Sequence, residues 1–245
     1  TLAFLLPAIK HILANGGAKR NRQPRVLVLS PTRELAMQSF DVATVAGGAV
    51  GLKSICLYGG VPKYEQRRAI RAGVQLVVAT PGRLLDLCSE ESCSLSNVDY
   101  VILDEGDRML DMGFEPDVKR IMALVKPRKE RQTVMFSATW PFSVQELASS
   151  FLKGDAVKIC IAREGGSLDF DAPQANTSIT QHVELIDERN KEQRLIELLR
   201  KYHKGGNRVL VFCLYKKEAA RVLRLLQRKG FSKACGIHGD MNQGA

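Results

Sequence analysis

No apolar run in the 245 residues approaches the roughly 18 that a membrane-spanning helix needs. The longest apolar opening stretch, Leu2–Leu13, is interrupted by Pro7, Lys10 and His11. It has neither a basic leader nor a small-residue cleavage site, so no signal peptide is expected. Aromatics make up only 6 % of residues, too few for an array of base-stacking platforms. Trp140, Phe142 and Phe151 are therefore expected in the core. The four histidines (11, 182, 203, 238) are scattered, which argues against a metal cluster. The six cysteines (56, 88, 93, 160, 213, 235) form no CxxC pair, and Cys88 with Cys93 has no second pair to complete a zinc site. Free, buried thiols in a reducing compartment are expected, since Cys56, Cys160 and Cys213 sit in apolar, strand-like runs. There is also no GxxxxGK[ST] phosphate loop.

Basic charge, in contrast, is plentiful. Lys and Arg number 36 against 26 acids, a net +10 that suits a polyanionic partner or simple solubility equally. The excess is uneven: residues 1–176 hold 22 basic and 19 acidic residues, residues 177–245 hold 14 and 7. With 45 % hydrophobic residues the chain can bury one large core or two small ones.

Short apolar runs alternate with longer helical ones. Strands are expected at Arg25–Ser30, Ser54–Tyr58, Gln75–Ala79, Tyr100–Leu103, Thr133–Phe136 and Ala156–Ile161, and helices over Thr32–Ala46, Tyr64–Ala72, Gly82–Cys88, Asp117–Val125 and Ser143–Leu152. Strands without polar alternation are buried on both faces, the mark of a parallel sheet wound with helices. Residues 163–178, rich in Gly, Ser, Asp and Asn, read as a linker. The alternation then resumes: strand Ile179–Ile186, helix Lys191–Tyr202, strand Arg208–Cys213, basic helix Lys216–Lys229, strand Ala234–Ile237. The near copies RVLVLS and RVLVFC suggest two tandem α/β domains, residues 1–162 and 179–245. Ligands of such sheets bind at the carboxyl ends of the strands.

The chemistry-bearing residues fall at those ends. Val101-Ile102-Leu103-Asp104-Glu105 is an apolar strand delivering two carboxylates. Asp104 can hold Mg²⁺ directly or through water, and Glu105 can orient an attacking water. The plainer reading is a helix N-terminus, where acids are favoured. Pro31-Thr32-Arg33 and Thr80-Pro81-Gly82-Arg83 are strand-to-helix turns. Each offers free N–H groups and an arginine to a phosphate, or is a simple cap and turn. Ser137 and Thr139 close another strand, where their hydroxyls can bond Asp107 or local backbone.

The run Asp104-Glu105-Gly106-Asp107-Arg108-Met109-Leu110-Asp111-Met112-Gly113-Phe114 resembles the DEAD-box family of RNA-dependent ATPases, with Gly106 where the family has Ala. Further segments match in the family's order: Pro31–Ala36, Gly59-Gly60, Thr80–Arg83, Ser137-Ala138-Thr139, Val209–Phe212, then His238-Gly239-Asp240 with Gln243. The resemblance implies two RecA-like domains, the first lacking its N-terminal strand and phosphate loop and the second truncated. It implies ATP and Mg²⁺ as cofactors and RNA as a partner held by its backbone. Asp104 and Glu105 would be catalytic; Thr1 and Asp104 would face the nucleotide and metal; Asp107, Ser137 and Thr139 would couple ATP state to RNA. Pro31, Thr32, Arg33, Gly60, Thr80, Pro81, Gly82 and Arg83 would lie along the RNA. Leu214–Ala219 (LYKKEA) is similar to a nucleolar, ribosome-assembly subgroup, implying ribosomal RNA precursors and a nuclear, nucleolar location. Gly106 loosens the backbone without removing a ligand, so activity is expected to survive it. Taken alone, these 245 residues are expected neither to hydrolyse ATP nor to unwind RNA. The alternative implied by the missing loop is a catalytically inactive RNA-binding remnant.

Overall fold

A computed structural model describes residues 1–17, 22–161 and 179–241. The chain divides into two units, Thr1–Ala175 and Asn176–Ala245. The linker expected at 163–178 lies outside the described residues, as does Gln243.

The first unit runs α1 (Leu2–Ala14), β1 (Val26–Leu29), α2 (Arg33–Gly48), β2 (Ser54–Leu57), α3 (Lys63–Arg71), β3 (Leu76–Ala79), α4 (Pro81–Ser89), β4 (Tyr100–Leu103), α5 (Gly106–Asp111), α6 (Glu115–Leu124), β5 (Gln132–Met135) and α7 (Phe142–Phe151). The five strands form one parallel sheet in the order β2-β3-β1-β4-β5. Every residue of β1, β3 and β4 is buried, which is why these strands carry no polar alternation.

Alternate residues of each strand serve two cores. Val26, Val28, Leu76, Val78, Tyr100 and Ile102 pack with Phe4, Leu5, Ile9 and Ile12 of α1 and with Ala36 and Ala43 of α2. Leu27, Leu29, Val77, Val101 and Leu103 pack on the other face with Leu84 and Leu87 of α4, Ile121 of α6 and Phe151 of α7. Each large side chain buried this way contributes about 1.5–3 kcal/mol. The result is an α/β three-layer unit of the RecA-like kind.

The second unit holds a 3₁₀ turn at Glu188–Asn190 and two helices, α8 (Lys191–Tyr202) and α9 (Lys216–Arg228). Ile196 and Leu199 of α8 pack on Val222 and Leu226 of α9. Four expected strands are corrected here. Ala156–Ile161, Ile179–Ile186, Arg208–Cys213 and Ala234–Ile237 form no ladder among the described residues. Leu185, Leu210, Phe212 and Ile237 are exposed. The reason is physical: a strand exists only through a hydrogen-bonded neighbour, and an apolar run marks readiness to pair rather than pairing.

The thiol expectation is also corrected in part. Cys56 and Cys93 are buried, Cys88 and Cys213 half-buried, and Cys160 and Cys235 exposed. Phe151 is in the core, but Phe142 is 73 % exposed. Among the described residues no helix is long and apolar enough to cross a membrane.

Candidate functional site

One row of backbone bonds sets the carboxyl edge of the sheet level. Thr80 N–H donates to Leu57 O, Ser30 N–H to Ala79 O and Asp104 N–H to Leu29 O, each at 2.9 Å, and Phe136 N–H to Leu103 O at 2.8 Å. Beyond this row the chain turns five times, and the sequence-predicted site residues of the first unit other than Thr1 all sit on those turns. From β2 to β5 the edge presents Gly59-Gly60, Thr80–Arg83, Pro31–Arg33, Asp104–Asp107 and Ser137–Thr139.

At the β4 turn, Asp104 is half-buried and Glu105 adopts the left-handed conformation (φ 51°, ψ 58°) and begins α5. A non-glycine residue there costs roughly 1–2 kcal/mol. The turn lets Gly106 N–H reach Phe136 O at 3.0 Å, locking the carboxylates against the β5 exit. Both sequence readings therefore hold: β4 delivers Asp104, and a helix starts directly behind it. Burial raises the pKa of Asp104, helped by the charge of Glu105, and the Glu105 backbone N–H opposes the rise. Thr1 is the N-cap residue of α1 and lies on none of these five turns.

Asp107, on α5, meets the β5 exit loop. Its backbone N–H donates to Ser137 Oγ (3.2 Å), and its Oδ2 accepts from Thr139 N–H (3.0 Å) and Thr139 Oγ1 (2.7 Å). Its Oδ1 accepts from Arg108 N–H at 3.0 Å. Partial burial would raise the Asp107 pKa, but these bonds together outweigh it and hold the carboxyl below its usual value.

The other three turns form a second group. Thr32 caps α2, its Oγ1 accepting from Leu35 N–H at 3.2 Å, so the simple-cap reading is realised. Arg33 lies over the Tyr58 ring, 4.8 Å from its centre, and its guanidinium is near Gly60. Gly60 has φ +82°, which favours glycine. Pro81 starts α4, and a Cβ on Gly82 would meet nothing within 4 Å, so its backbone faces open space. Arg83 donates from Nη1 to Gln66 Oε1 (3.1 Å) and from Nη2 to Val61 O (3.0 Å). Gln66 in turn donates to Tyr58 O at 3.2 Å. Arg83 therefore ties α4 to the glycine turn as well as carrying charge. In the second unit, Val209–Phe212 and His238–Asp240 are set on no sheet edge among the described residues, and Lys216 of α9 pairs with Asp240 at 2.6 Å.

Sequence reasoning missed the left-handed Glu105 and the packing of Gly106. A Cβ on Gly106 would lie 3.2 Å from Met135 Sδ and 3.3 Å from its Cγ. Met135 thus fills the space that an alanine methyl would take. It also missed the Arg83–Gln66–Tyr58 chain, which has no signal at the level of spacing.

The residues fit a hard cation bound with a phosphate better than a metal cage. Among the described residues no cluster of three or more His, Cys, Asp or Glu could hold a metal by itself. Asp104, a carboxylate whose ionised form is disfavoured by burial, gains from a cation that brings further ligands of its own.

Comparison with known proteins bears on the same residues. The model of the DEAD/DEAH box helicase family matches residues 1–147. An ATP-dependent RNA helicase dbp3 of Aspergillus clavatus is 51 % identical over 247 residues, covering 99 % of this chain and 48 % of that protein. DEAD-box ATP-dependent RNA helicase 5 of Arabidopsis thaliana is 52 % identical over 248 residues, covering 99 % and 44 %. ATP-dependent RNA helicase DBP3 of Kluyveromyces lactis is 50 % identical over 246 residues, covering 99 % and 46 %. The chain spans about half the length of the curated relatives it matches.

Proposed function

The chain belongs to the DEAD/DEAH box helicase family, and from that premise we propose that the protein containing it is an ATP-dependent RNA helicase. It couples ATP hydrolysis to duplex unwinding or to remodelling of protein–RNA complexes. The observation that carries the reading is the level sheet edge, with carboxylates at the β4 turn bonded to hydroxyls at the β5 turn, beside a basic, glycine-bearing group at β2, β3 and β1.

Each residue has a task in this reading. Asp104 and the hydroxyl of Thr1 would hold the Mg²⁺ that accompanies ATP, which when bound would supply charge neutralisation at the phosphates. Glu105, held exposed by its left-handed backbone, orients the attacking water and accepts its proton. Asp107, through Ser137 and Thr139, transmits the state of the β4 turn to the β5 exit. On the RNA side, the N-termini of α2 and α4 offer backbone N–H groups to phosphates, behind Pro31-Thr32 and Thr80-Pro81. Gly60 and Gly82 permit close approach, and Arg33 and Arg83 add charge. Contacts of this kind position a strand without reading its sequence. The LYKKEA segment supports ribosomal RNA precursors as substrate and the nucleolus as the site of action.

The test is ATP hydrolysis by the full-length protein with and without single-stranded RNA, in the wild type and in Glu105→Gln. RNA-stimulated hydrolysis reduced by about 10²–10⁴-fold in the variant, with RNA binding retained, is expected. Hydrolysis indifferent to RNA, or unchanged in Glu105→Gln, would overturn the assignment. Fluorescent tagging of the full-length protein, with cross-linking to RNA, tests the nucleolar substrate.

A further inference from the structure

Cys88 and Cys93 lie outside the site above, and nothing in the proposed reaction uses them. Cys88 is on the last turn of α4, half-buried; Cys93 is 4 % exposed, in the loop that follows. Between them the chain reverses tightly. Glu91 N–H donates to Cys88 O at 3.0 Å, and the N–H groups of Ser92 and Cys93 both donate to Leu87 O, at 2.9 and 3.2 Å. Glu91 takes the left-handed conformation (φ 54°) that makes this possible. The reversal folds Cys93 back against the end of α4, beside Cys88.

We propose that Cys88 and Cys93 form a dithiol modification site, closed to an intramolecular disulfide by low-molecular-weight disulfides such as oxidised glutathione. The inference is independent of the RNA-helicase reading. The pair is asymmetric in the sense such a site needs. Cys88 is the more exposed of the two and Cys93 the more buried; the adjacent Cys93 draws the Cys88 thiol below its usual pKa, while Cys88 and burial push Cys93 up. Cys88 is thus the accessible nucleophile and Cys93 the shielded, protonated partner. The Cys88 thiolate attacks one glutathione sulfur, forming a mixed disulfide and expelling one glutathione thiolate. The Cys93 sulfur then attacks the Cys88 sulfur. The Cys88–Cys93 bond forms, the bond to glutathione breaks, and the Cys93 proton goes to the second glutathione. Two protein thiols are oxidised and one glutathione disulfide is reduced to two thiols.

Glu90, between the two cysteines, bonds Lys63 (2.6 Å) and Arg67 of α3, which holds the loop in place over the end of α4.

The test is mass mapping of the full chain after exposure to oxidised glutathione, acid quench and alkylation. No Lys or Arg lies between Leu84 and Arg108, so trypsin leaves both cysteines on one peptide. The expected product is that peptide unalkylated and lighter by two hydrogens. Cleavage after Glu90 or Glu91 should then leave two peptides joined until reduced. Cys93→Ser should stop at glutathione on Cys88, and Cys88→Ser should leave Cys93 unmodified, alkylating roughly tenfold or more slowly than exposed Cys160. Persistent glutathione on Cys88 in the wild type, or no reaction at Cys88, would overturn the proposal. The wild-type mapping decides even if a variant fails to fold.

Discussion

Thr139 Oγ1 donates to Asp107 Oδ2 at 2.7 Å, joining α5 to the exit of β5 across 32 residues of sequence. The same oxygen accepts Thr139 N–H, and Ser137 Oγ receives Asp107 N–H. One carboxylate therefore fastens the turn that carries Asp104 and Glu105 to the neighbouring strand end. Any displacement of α5 is felt at residues 137–139, which is the mechanical content of the coupling role proposed for them.

Thr139→Val keeps the shape of the side chain and deletes this bond. We expect a stability loss of about 1 kcal/mol, at the low end for a bond to a charged group because the site is open to solvent. In the full-length protein we expect RNA unwinding to fall more than ATP hydrolysis does. Because the folded-state pKa of Asp107 is depressed, its stabilisation is present above the ordinary carboxylate value of about 3.9 and is lost as pH falls through the folded-state value. The melting-temperature gap between wild type and Thr139→Val should accordingly close in that acid range. Thermal melts from pH 7 to pH 3 measure it, and a gap unchanged down to pH 3 would refute the assignment.

Asp104 behaves in the opposite sense. Its pKa is raised, mainly by burial, so ionisation at neutral pH costs the fold stability. The relative stabilisation is full below about 3.9 and disappears as pH rises through the raised value. Asp104→Asn should therefore raise the melting temperature of the ligand-free protein at pH 7, with the advantage shrinking toward pH 4. The same variant should lose Mg²⁺-dependent ATP binding in calorimetry. A variant that melts lower than wild type at pH 7 would show that Asp104 is structurally satisfied without a cation.

Gly106 and Met135 test whether the departure from the family's alanine is compensated. A methyl at Gly106 would stand 3.2 Å from Met135 Sδ, too close unless that flexible side chain moves. Alanine at the first residue of α5 gains up to about 1 kcal/mol in helix propensity, and the clash offsets it. Gly106→Ala should thus change stability little, while Gly106→Ala in a Met135→Val background should be stabilising relative to Met135→Val. A coupling of about 1 kcal/mol is expected from the double-mutant cycle in urea. Simple additivity would mean that Met135 does not occupy the methyl's place.

How far the sequence alone carries depends on how local the cause is. Tyr100–Leu103 and Lys191–Tyr202 are readable to the residue, because Asp104 bounds the first and Leu195, Leu198 and Leu199 mark one face of the second. Arg208–Cys213 reads as a strand equally well, yet no ladder forms there, since pairing is a property of two segments and periodicity reports on one. Asp104, Glu105, Thr32 and Thr139 stand out by residue type at strand ends. Their arrangement does not: the left-handed Glu105 hides behind Gly106, where a turn glycine is the natural choice. Met135 meets Gly106 only through the β4–β5 pairing.

Arg83 carries the last prediction, because its two roles part company in a salt titration. It donates to Val61 O and Gln66 Oε1, so Arg83→Ala leaves both acceptors unserved and loosens the glycine turn after β2. If it also contacts phosphate, the variant removes one counterion-releasing charge, and the slope of log affinity against log salt should fall by about one. Arg83→Lys keeps the charge but cannot reach both acceptors in a fork. We expect Arg83→Ala to lose both affinity and slope, and Arg83→Lys to lose affinity while keeping the slope. Fluorescence anisotropy with a short single-stranded RNA, from about 50 to 200 mM salt, reads both quantities. A slope untouched in Arg83→Ala would make Arg83 a positioning residue for Gly60 alone. The phosphate contact on that side of the edge would then fall to Arg33 and the N-termini of α2 and α4.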